Sequence, residues 1–139
     1  MPGSDFNFET IEFLDPTGQL KRPLPAALAT RDKLVELYQL MVQTRVFDLS
    51  AINLQRTGAM GTYPSGEGQE AIGAGIGFAM QENDVLVPYY RDVAAQIRRG
   101  VLLEEILRYW GGDEWGMHFQ HQEQDFPISV PIATQACHA

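Results

Sequence analysis

Apolar residues recur at helical spacing over a long stretch that begins after Thr30 and ends near Gly58. Thr30 is a suitable N-cap and Asp32 lies in the first turn, so the pattern predicts a helix of roughly seven turns. Such a helix is held mainly by packing its apolar side against other elements. The chain is therefore constrained to a fold in which several neighbours cover one long helix.

The rest of the chain offers more helices and a single candidate strand. Periodicity and turn residues predict helices over Glu67–Met80, Arg91–Arg99 and Leu102–Trp110, and a short buried strand over Val85–Val87. Residues 111–127 read as a polar, Gln-rich loop, residues 128–131 as extended, and a further helix is expected from Ile132. Since one strand cannot form a sheet, the pattern indicates an incomplete α/β domain that is mostly helical with few strands.

Three glycines fall inside the second predicted helix, at Gly73, Gly75 and Gly77. Each glycine in a helix interior costs about 1 kcal/mol relative to alanine. Close approach of a neighbouring backbone is the usual reason for accepting that cost. We therefore expect another element to pack tightly against this helix.

Residues 1–29 differ in character from the remainder and read as an extended N-terminal arm. Short apolar patches are separated by the turn residues Asp15–Gly18 and by Pro23 and Pro25. Such an arm has too few apolar residues to pack on itself. The predicted organisation is an arm over residues 1–29 and one domain over residues 30–139.

Composition narrows the class of protein. A formal net charge of −8 and a pI near 4.7 argue against binding to a nucleic-acid backbone. The only cysteine, Cys137, cannot form an internal disulfide, which favours a reducing compartment. No apolar run approaches the roughly 18 residues that span a bilayer, and no signal-peptide pattern begins the chain. We expect a soluble, cytoplasmic protein.

Tyr90 and Arg91 lie where the predicted strand gives way to a helix. Ligands of open α/β folds bind at the carboxyl ends of strands, and anions bind near helix N-termini. An arginine there can form charge-assisted hydrogen bonds to a diphosphate, and a tyrosine can add a hydroxyl donor. The alternative is that Arg91 and Asp92 form an ordinary surface charge pair.

The stretch from Ser129 to Gln135 combines backbone carbonyls with hydroxyl and amide side chains. That chemistry suits a monovalent cation or hydrogen bonds from a cofactor ring. An ordinary strand-to-helix turn, with Thr134 near the cap, explains the same residues without a ligand.

Two other patterns are weaker. His118 and His121 have a metal-ligand spacing, yet no second ligand pair or cysteine supports a metal site. Gly66, Gly68 and Ala71 match a short form of the dinucleotide fingerprint. That fingerprint should follow a buried strand, whereas the residues before it are polar and glycine-rich. Neither a metal site nor a Rossmann fold is favoured.

Three segments together carry a family resemblance: Tyr63–Ala71 (YPSGEGQEA), Tyr89–Asp92 (YYRD) and Ile128–Gln135 (ISVPIATQ). They resemble the α subunit of the E1 component of thiamine diphosphate-dependent 2-oxo acid dehydrogenases. The resemblance covers nearly the whole chain. It implies the N-terminal part of a thiamine diphosphate-binding α/β fold. The implied activity is oxidative decarboxylation of pyruvate or a branched-chain 2-oxo acid, with acyl transfer to a lipoyl group.

The resemblance also assigns roles to individual residues. Tyr90 and Arg91 would touch thiamine diphosphate, Val130 and Ile132 would form the cofactor wall, and Tyr63 would reach the substrate channel. His118 would act catalytically by hydrogen-bonding the substrate or the lipoyl group at the entrance, although a plain solvent-facing histidine is the alternative. A potassium site is implied at Ser129, Pro131, Thr134 and Gln135.

The partners implied are an E1 β subunit, in an α2β2 heterotetramer, and a lipoylated E2 component. The family's magnesium motif, a Gly-Asp-Gly stretch ending in an Asn, has no counterpart after Gln135. We therefore expect the isolated chain to be inactive and to be poorly folded or associated. The alternative from another class is a non-catalytic, truncated chain that only binds a partner.

Overall fold

The computed structural model describes residues 9–120 and residue 125. A 3₁₀ helix at Ala26–Leu28 precedes four α-helices. They are α1 (Arg31–Arg56), α2 (Glu70–Ala79), α3 (Val93–Arg98) and α4 (Leu103–Gly111). The chain divides into two compact units, one up to Leu34 and one from Val35 onward, and each is described by itself.

The first unit contains the tight turn that the sequence predicts at Asp15–Gly18. The Asp15 carboxylate accepts hydrogen bonds from the Thr17 N–H at 2.8 Å and the Gln19 N–H at 2.9 Å. A hydrogen bond from the Thr17 hydroxyl is the main reason why the pKa of Asp15 lies below its usual value. Leu14 and Leu20 pair across the turn in an isolated antiparallel bridge.

The four predicted helices are present, with later starts than expected. The long helix is confirmed as α1, whereas α2 begins at Glu70 instead of Glu67, and α3 at Val93 instead of Arg91. A turn closed by the Gln69 N–H on the Gly66 carbonyl occupies the residues before α2. Gly112, with φ of +77°, ends α4 in the left-handed conformation that glycine adopts without strain.

The strand predicted over Val85–Val87 is wrong. The described residues contain no β-strand, and Val85 and Val87 are 51% and 60% exposed. The Leu86 N–H donates to the Asp125 carboxylate at 2.8 Å, so a side chain satisfies it where a ladder would be expected. An extended segment becomes a strand only when a second backbone pairs with it, and none does so in the described part of the chain. What is described is mostly helical.

The core of the second unit forms where α1, α4 and the loop after α1 meet. The Tyr63 ring packs edge-on against Phe47, with centroids 6.2 Å apart, and against Trp110 at 5.8 Å. Ala51 and Ile106 are fully buried beside them. Aromatic rings in edge-to-face contact bury much apolar area, so this cluster anchors the loop that carries Tyr63.

Helices α2 and α3 approach each other closely through glycines. A Cβ on Gly77 would lie 2.9 Å from the Arg98 Cβ and 3.0 Å from the Ala95 Cα, and one on Gly73 would lie 3.1 Å from the Ala94 Cβ. The expected tight packing is therefore confirmed at these two positions. Gly75 faces open space, so the same explanation fails there.

The outer side of α1 remains apolar and exposed in the described residues. It carries Tyr38, Val42, Val46 and Leu49. No described helix combines the length and the apolarity needed to cross a membrane.

Candidate functional site

A buried carboxylate, Asp48 on α1, organises the loop that precedes α2. Asp48 is 3% exposed and accepts three hydrogen bonds. The Tyr63 hydroxyl donates to Oδ1 at 3.1 Å, the Gly66 N–H donates to Oδ1 at 2.7 Å, and the Ser65 hydroxyl donates to Oδ2 at 2.7 Å. Hydrogen bonds of this kind offset the cost of removing a carboxylate from water.

Arg91 joins this loop from the other side. Its Nε donates to the Ser65 carbonyl at 2.8 Å, and its Nη1 donates to the Tyr90 hydroxyl at 2.6 Å. The guanidinium carbon lies 4.5 Å from the centre of the Tyr90 ring, a cation–π distance. We call this set the Asp48 network; its members are Asp48, Tyr63, Ser65, Gly66, Tyr90 and Arg91.

No carboxylate in the described part of the chain neutralises the charge of Arg91. The side chain is half-buried, and no acidic group forms an ion pair with it within residues 9–120 or at residue 125. Its two described acceptors, a carbonyl and a phenol, are both neutral. A guanidinium held in this way retains its full positive charge for an incoming anion.

A second carboxylate fixes the start of α2. Glu70 forms an ion pair with Arg45 and accepts the Gly68 N–H at 3.1 Å. The hydrogen bond from Arg45 is the main reason why the pKa of Glu70 lies below its usual value. The loop between Tyr63 and Glu70 is therefore tied to α1 at both ends.

Tyr63 lies within the core. It is 4% exposed, and burial raises the pKa of its phenol, with the charge of Asp48 and the hydrogen bond to it adding to the effect. The phenol is therefore a neutral hydrogen-bond donor at physiological pH. Its assignment to a substrate channel stays a prediction.

His118 lies outside the Asp48 network and is exposed. Its ring stands 5.2 Å from that of Trp115, and its backbone N–H donates to the Trp115 carbonyl at 2.9 Å. No described hydrogen bond or ring contact joins it to Tyr63, Tyr90 or Arg91. The structure thus brings three of the predicted site residues together and leaves His118 apart, and its catalytic role stays a prediction.

Two acidic residues fix neighbouring backbone: Glu105 holds the segment around His118 through the Gln120 N–H, and Asp125 binds Arg99 and the Leu86 N–H. Glu105, which is 2% exposed, accepts the Leu102 N–H at 2.8 Å and the Gln120 N–H at 2.7 Å. The Asp125 carboxylate accepts hydrogen bonds from Arg99, from Nε at 2.7 Å and from Nη2 at 2.8 Å. The ion pair with Arg99 lowers the pKa of Asp125.

The remaining predicted site residues lie outside the described part of the chain. They are Ser129, Val130, Pro131, Ile132, Thr134 and Gln135, together with His121 of the weaker metal pattern. Within the described residues, no group of three or more His, Cys, Asp or Glu side chains could hold a metal ion.

Sequence reasoning missed Asp48 and Ser65. One signal could have found the first: Asp48 falls on the same side of α1 as Thr44, Phe47 and Ala51, which are all buried. An acidic residue on the buried side of a helix needs donors from another segment. The position of Ser65 in the loop carried no such signal.

The sequence is similar to known proteins over most of its length. The family model described as dehydrogenase E1 component matches residues 38–139. The pyruvate dehydrogenase E1 component subunit alpha of Mycoplasma genitalium is 34% identical over 125 residues, which cover 90% of this chain and 35% of that protein. The protein of the same name from Staphylococcus aureus strain Mu50 is 35% identical over 128 residues, covering 92% and 35%.

A third relative has a different substrate in its name. The 3-methyl-2-oxobutanoate dehydrogenase subunit alpha of Mycobacterium tuberculosis strain CDC 1551 is 33% identical over 141 residues, covering 96% of this chain and 36% of that protein. The chain thus spans 35% or 36% of the length of these relatives.

Proposed function

The chain belongs to the dehydrogenase E1 component family, and on that premise we propose that it forms part of the α subunit of a 2-oxo acid dehydrogenase E1. The family expected from the sequence is thereby confirmed. The proposed reaction is the oxidative decarboxylation of pyruvate or a branched-chain 2-oxo acid, with the acyl group passing to a lipoylated E2 component. Both substrates stay within the proposal because relatives with either name match at similar identity.

The observation that carries this proposal is the guanidinium of Arg91, which no carboxylate among the described residues neutralises. Arginine in ordinary surface positions gains little from its neighbours and moves freely, whereas Arg91 is fixed by the Ser65 carbonyl and the Tyr90 hydroxyl. A half-buried cation without a carboxylate partner suits a ligand that brings its own negative charge. The diphosphate of thiamine diphosphate is such a ligand, so the described residues fit the cofactor.

In this proposal Arg91 binds the diphosphate, and Tyr90 orients Arg91 and adds a phenol oxygen beside it. Val130 and Ile132 form the wall against the cofactor, and Tyr63 faces the substrate channel. When bound, the cofactor supplies the carbanion chemistry of decarboxylation. The contribution of these residues is placement and charge. His118 is proposed to hydrogen-bond the substrate or the lipoyl group.

The proposal includes partners and ions outside the described residues. An E1 β subunit completes an α2β2 heterotetramer, and the complete protein has an α/β fold. Magnesium is proposed as the ion that accompanies the diphosphate, and potassium is proposed at Ser129, Pro131, Thr134 and Gln135. Each of these follows from the resemblance to E1 α subunits.

The test is the affinity of the E1 assembly containing this chain for thiamine diphosphate. Arg91→Ala should weaken binding about ten- to a hundredfold, the ratio expected when a charge-assisted contact is lost. Arg108→Ala is the matched control, because this exposed arginine on α4 forms no ion pair in the described residues. Cofactor titration gives the affinity, and thermal melts without cofactor report folding.

Two results would contradict the proposal. One is an affinity for thiamine diphosphate that Arg91→Ala leaves unchanged. The other is a large loss of melting temperature in the cofactor-free protein, which would make Arg91 a structural residue. Decarboxylation assays of the assembly with pyruvate and with 2-oxoisovalerate then separate the two proposed substrates. No decarboxylation of either would favour the non-catalytic alternative.

A further inference from the structure

We infer that Asp48 is a positioning residue for Arg91, and that it sets the affinity of the E1 assembly for the cofactor's diphosphate without touching it. The inference rests on the proposed function of Arg91. It adds a residue on α1, 43 positions earlier in the sequence, whose effect on binding passes through Ser65.

The hydrogen bonds of Asp48 show that it holds the loop. All three of its described hydrogen-bond donors come from the loop that precedes α2: the Tyr63 hydroxyl, the Ser65 hydroxyl and the Gly66 N–H. No described cation forms an ion pair with it. A carboxylate with 3% exposure that meets only neutral donors fixes those donors in place.

Ser65 is the connection between the carboxylate and the arginine. Its hydroxyl donates to Asp48 Oδ2 at 2.7 Å, and its carbonyl accepts Arg91 Nε at 2.8 Å. The next residue, Gly66, gives its N–H to Asp48 Oδ1 at 2.7 Å. The peptide group that carries the Ser65 carbonyl is the same one that carries the Gly66 N–H. Asp48 therefore fixes the plane of the group that orients Arg91.

The orientation of Arg91 depends on few other contacts. Its second described hydrogen bond goes to the hydroxyl of the adjacent residue, Tyr90, which is 8% exposed and belongs to the buried core. Ser65 is thus the only described hydrogen-bond partner of the Arg91 guanidinium from a distant part of the sequence. If the Ser65 peptide rotates, the guanidinium loses one of its two described hydrogen bonds and keeps only its contacts with Tyr90. Binding of an oriented anion then weakens even though the charge remains.

A double-mutant cycle on the complete E1 assembly tests this. Thiamine diphosphate affinity is measured for the wild type, Asp48→Ala, Arg91→Ala and the double variant. Asp48→Ala should weaken binding about tenfold in the wild-type background, the ratio for one charge-assisted contact. In the Arg91→Ala background it should change affinity less than about twofold, since the residue it positions is gone.

Two further variants keep the test informative if Asp48→Ala folds poorly. Asp48→Asn keeps an oxygen for the Tyr63 and Gly66 donors, so it should bind the cofactor within about threefold of the wild type. Ser65→Ala removes the hydroxyl, which donates to Asp48 and accepts the Glu67 N–H at 3.2 Å. It should weaken binding about threefold, again only when Arg91 is present. Glu67→Gln is the control, because this exposed carboxylate borders the same loop and meets Arg45 at 3.5 Å.

The outcomes separate this inference from the proposed function. If Arg91→Ala weakens binding but Asp48→Ala and Ser65→Ala do not, the inference is wrong and the proposed function stands. If the Asp48 and Ser65 variants weaken binding equally with and without Arg91, Asp48 acts on the fold and the inference is again wrong. If Arg91→Ala leaves the affinity unchanged, the proposed role of Arg91 fails and the inference fails with it.

Discussion

The Asp48 network and residues 113–120, which we call the His118 segment, are held in place by different means. In the network, side chains from α1, the loop after it and the residues before α3 exchange buried hydrogen bonds. In the His118 segment, most contacts are within the segment itself, such as the Gly116 N–H to the Asp113 carbonyl at 2.9 Å. Distant parts of the sequence therefore determine the geometry of the first region, and local turns that of the second.

Their exposure differs in the same direction. Tyr63 is buried among aromatic rings, whereas Trp115 is 65% exposed. The His118 segment meets the rest of the molecule at Gly116, where an added Cβ would lie 2.8 Å from the Tyr109 Cα, and through the bond from Gln120 to Glu105. Phe119 packs against the core, and the Asp113 N–H donates to the Arg108 carbonyl at 3.1 Å. Both regions contain residues that the sequence predicts to be part of the site, but the rest of the molecule holds the Asp48 network more firmly. Substitutions in the two regions should therefore differ in their effect on stability.

The largest expected effect is the loss of an aromatic ring from the network. Tyr63→Ala should lower the free energy of unfolding by about 3–5 kcal/mol, because it leaves a cavity beside Phe47 and Trp110. Trp115→Ala, the same kind of truncation in the His118 segment, should change it by no more than about 0.5 kcal/mol. Denaturant unfolding at one protein concentration measures both. Equal losses would mean that the two regions are equally well held.

The helices of both regions could be predicted because their signals are local. Gly58 and Gly112 mark helix ends, and the apolar period marks the buried sides. The strand at Val85–Val87 could not be judged locally, because a strand depends on a second backbone that the sequence pattern does not reveal. The prediction failed for that reason.

The next effect concerns the connection between α4 and the His118 segment. Glu105→Ala leaves the Leu102 and Gln120 N–H groups without their described acceptor. We expect the free energy of unfolding to fall by about 2 kcal/mol. The Gln120 amide should also exchange its hydrogen faster, which exchange mass spectrometry detects. Glu104→Ala, on the exposed side of the same turn, is the control. Unchanged exchange at Gln120 would show that other contacts hold the segment.

A smaller effect should appear with pH at Asp125, beyond the His118 segment. Its pKa is lowered by Arg99, so its contribution is complete above the unfolded carboxyl pKa of about 3.9 and is lost as pH falls through the lower folded value. Asp125→Asn should therefore lower the free energy of unfolding by about 1 kcal/mol at pH 7 and leave it unchanged at a pH below the folded pKa. Melts of both proteins from pH 7 to about pH 2, below both carboxyl pKa values, give the comparison. A constant difference would assign the effect to packing.

The smallest structural effect is expected at His118. His118→Ala should leave stability within about 0.5 kcal/mol and cofactor affinity unchanged, since the side chain is exposed and apart from the network. If its proposed role is correct, acyl transfer to a lipoyl domain slows while cofactor binding does not change. Rates with a lipoylated E2 domain measure this, and an unchanged rate would make His118 a solvent-facing residue.

Only those site residues that belong to short family motifs could be predicted from the sequence. Tyr63, Tyr90 and Arg91 were singled out from short motifs, and the structure brings them together. The carboxylate that connects them lies on α1, in a segment that reads only as a helix pattern. Its one local sign is an acidic residue on the side of α1 that also carries Thr44, Phe47 and Ala51, whereas the loop donors that it meets lie in a distant segment and leave no such sign.

The close contact of α2 with α3 limits which sequences this fold accepts. At Gly77 even a methyl group meets the Ala95 and Arg98 atoms at 3.0 Å or less, so alanine would force the two helices apart. Gly75 lies two residues earlier, on a different side of the same helix, and faces open space. Alanine at position 75 should therefore stabilise the helix, because alanine has a higher helix propensity than glycine. In a library that randomises both codons, the variants that fold should all carry glycine at position 77, whereas position 75 should accept many residue types.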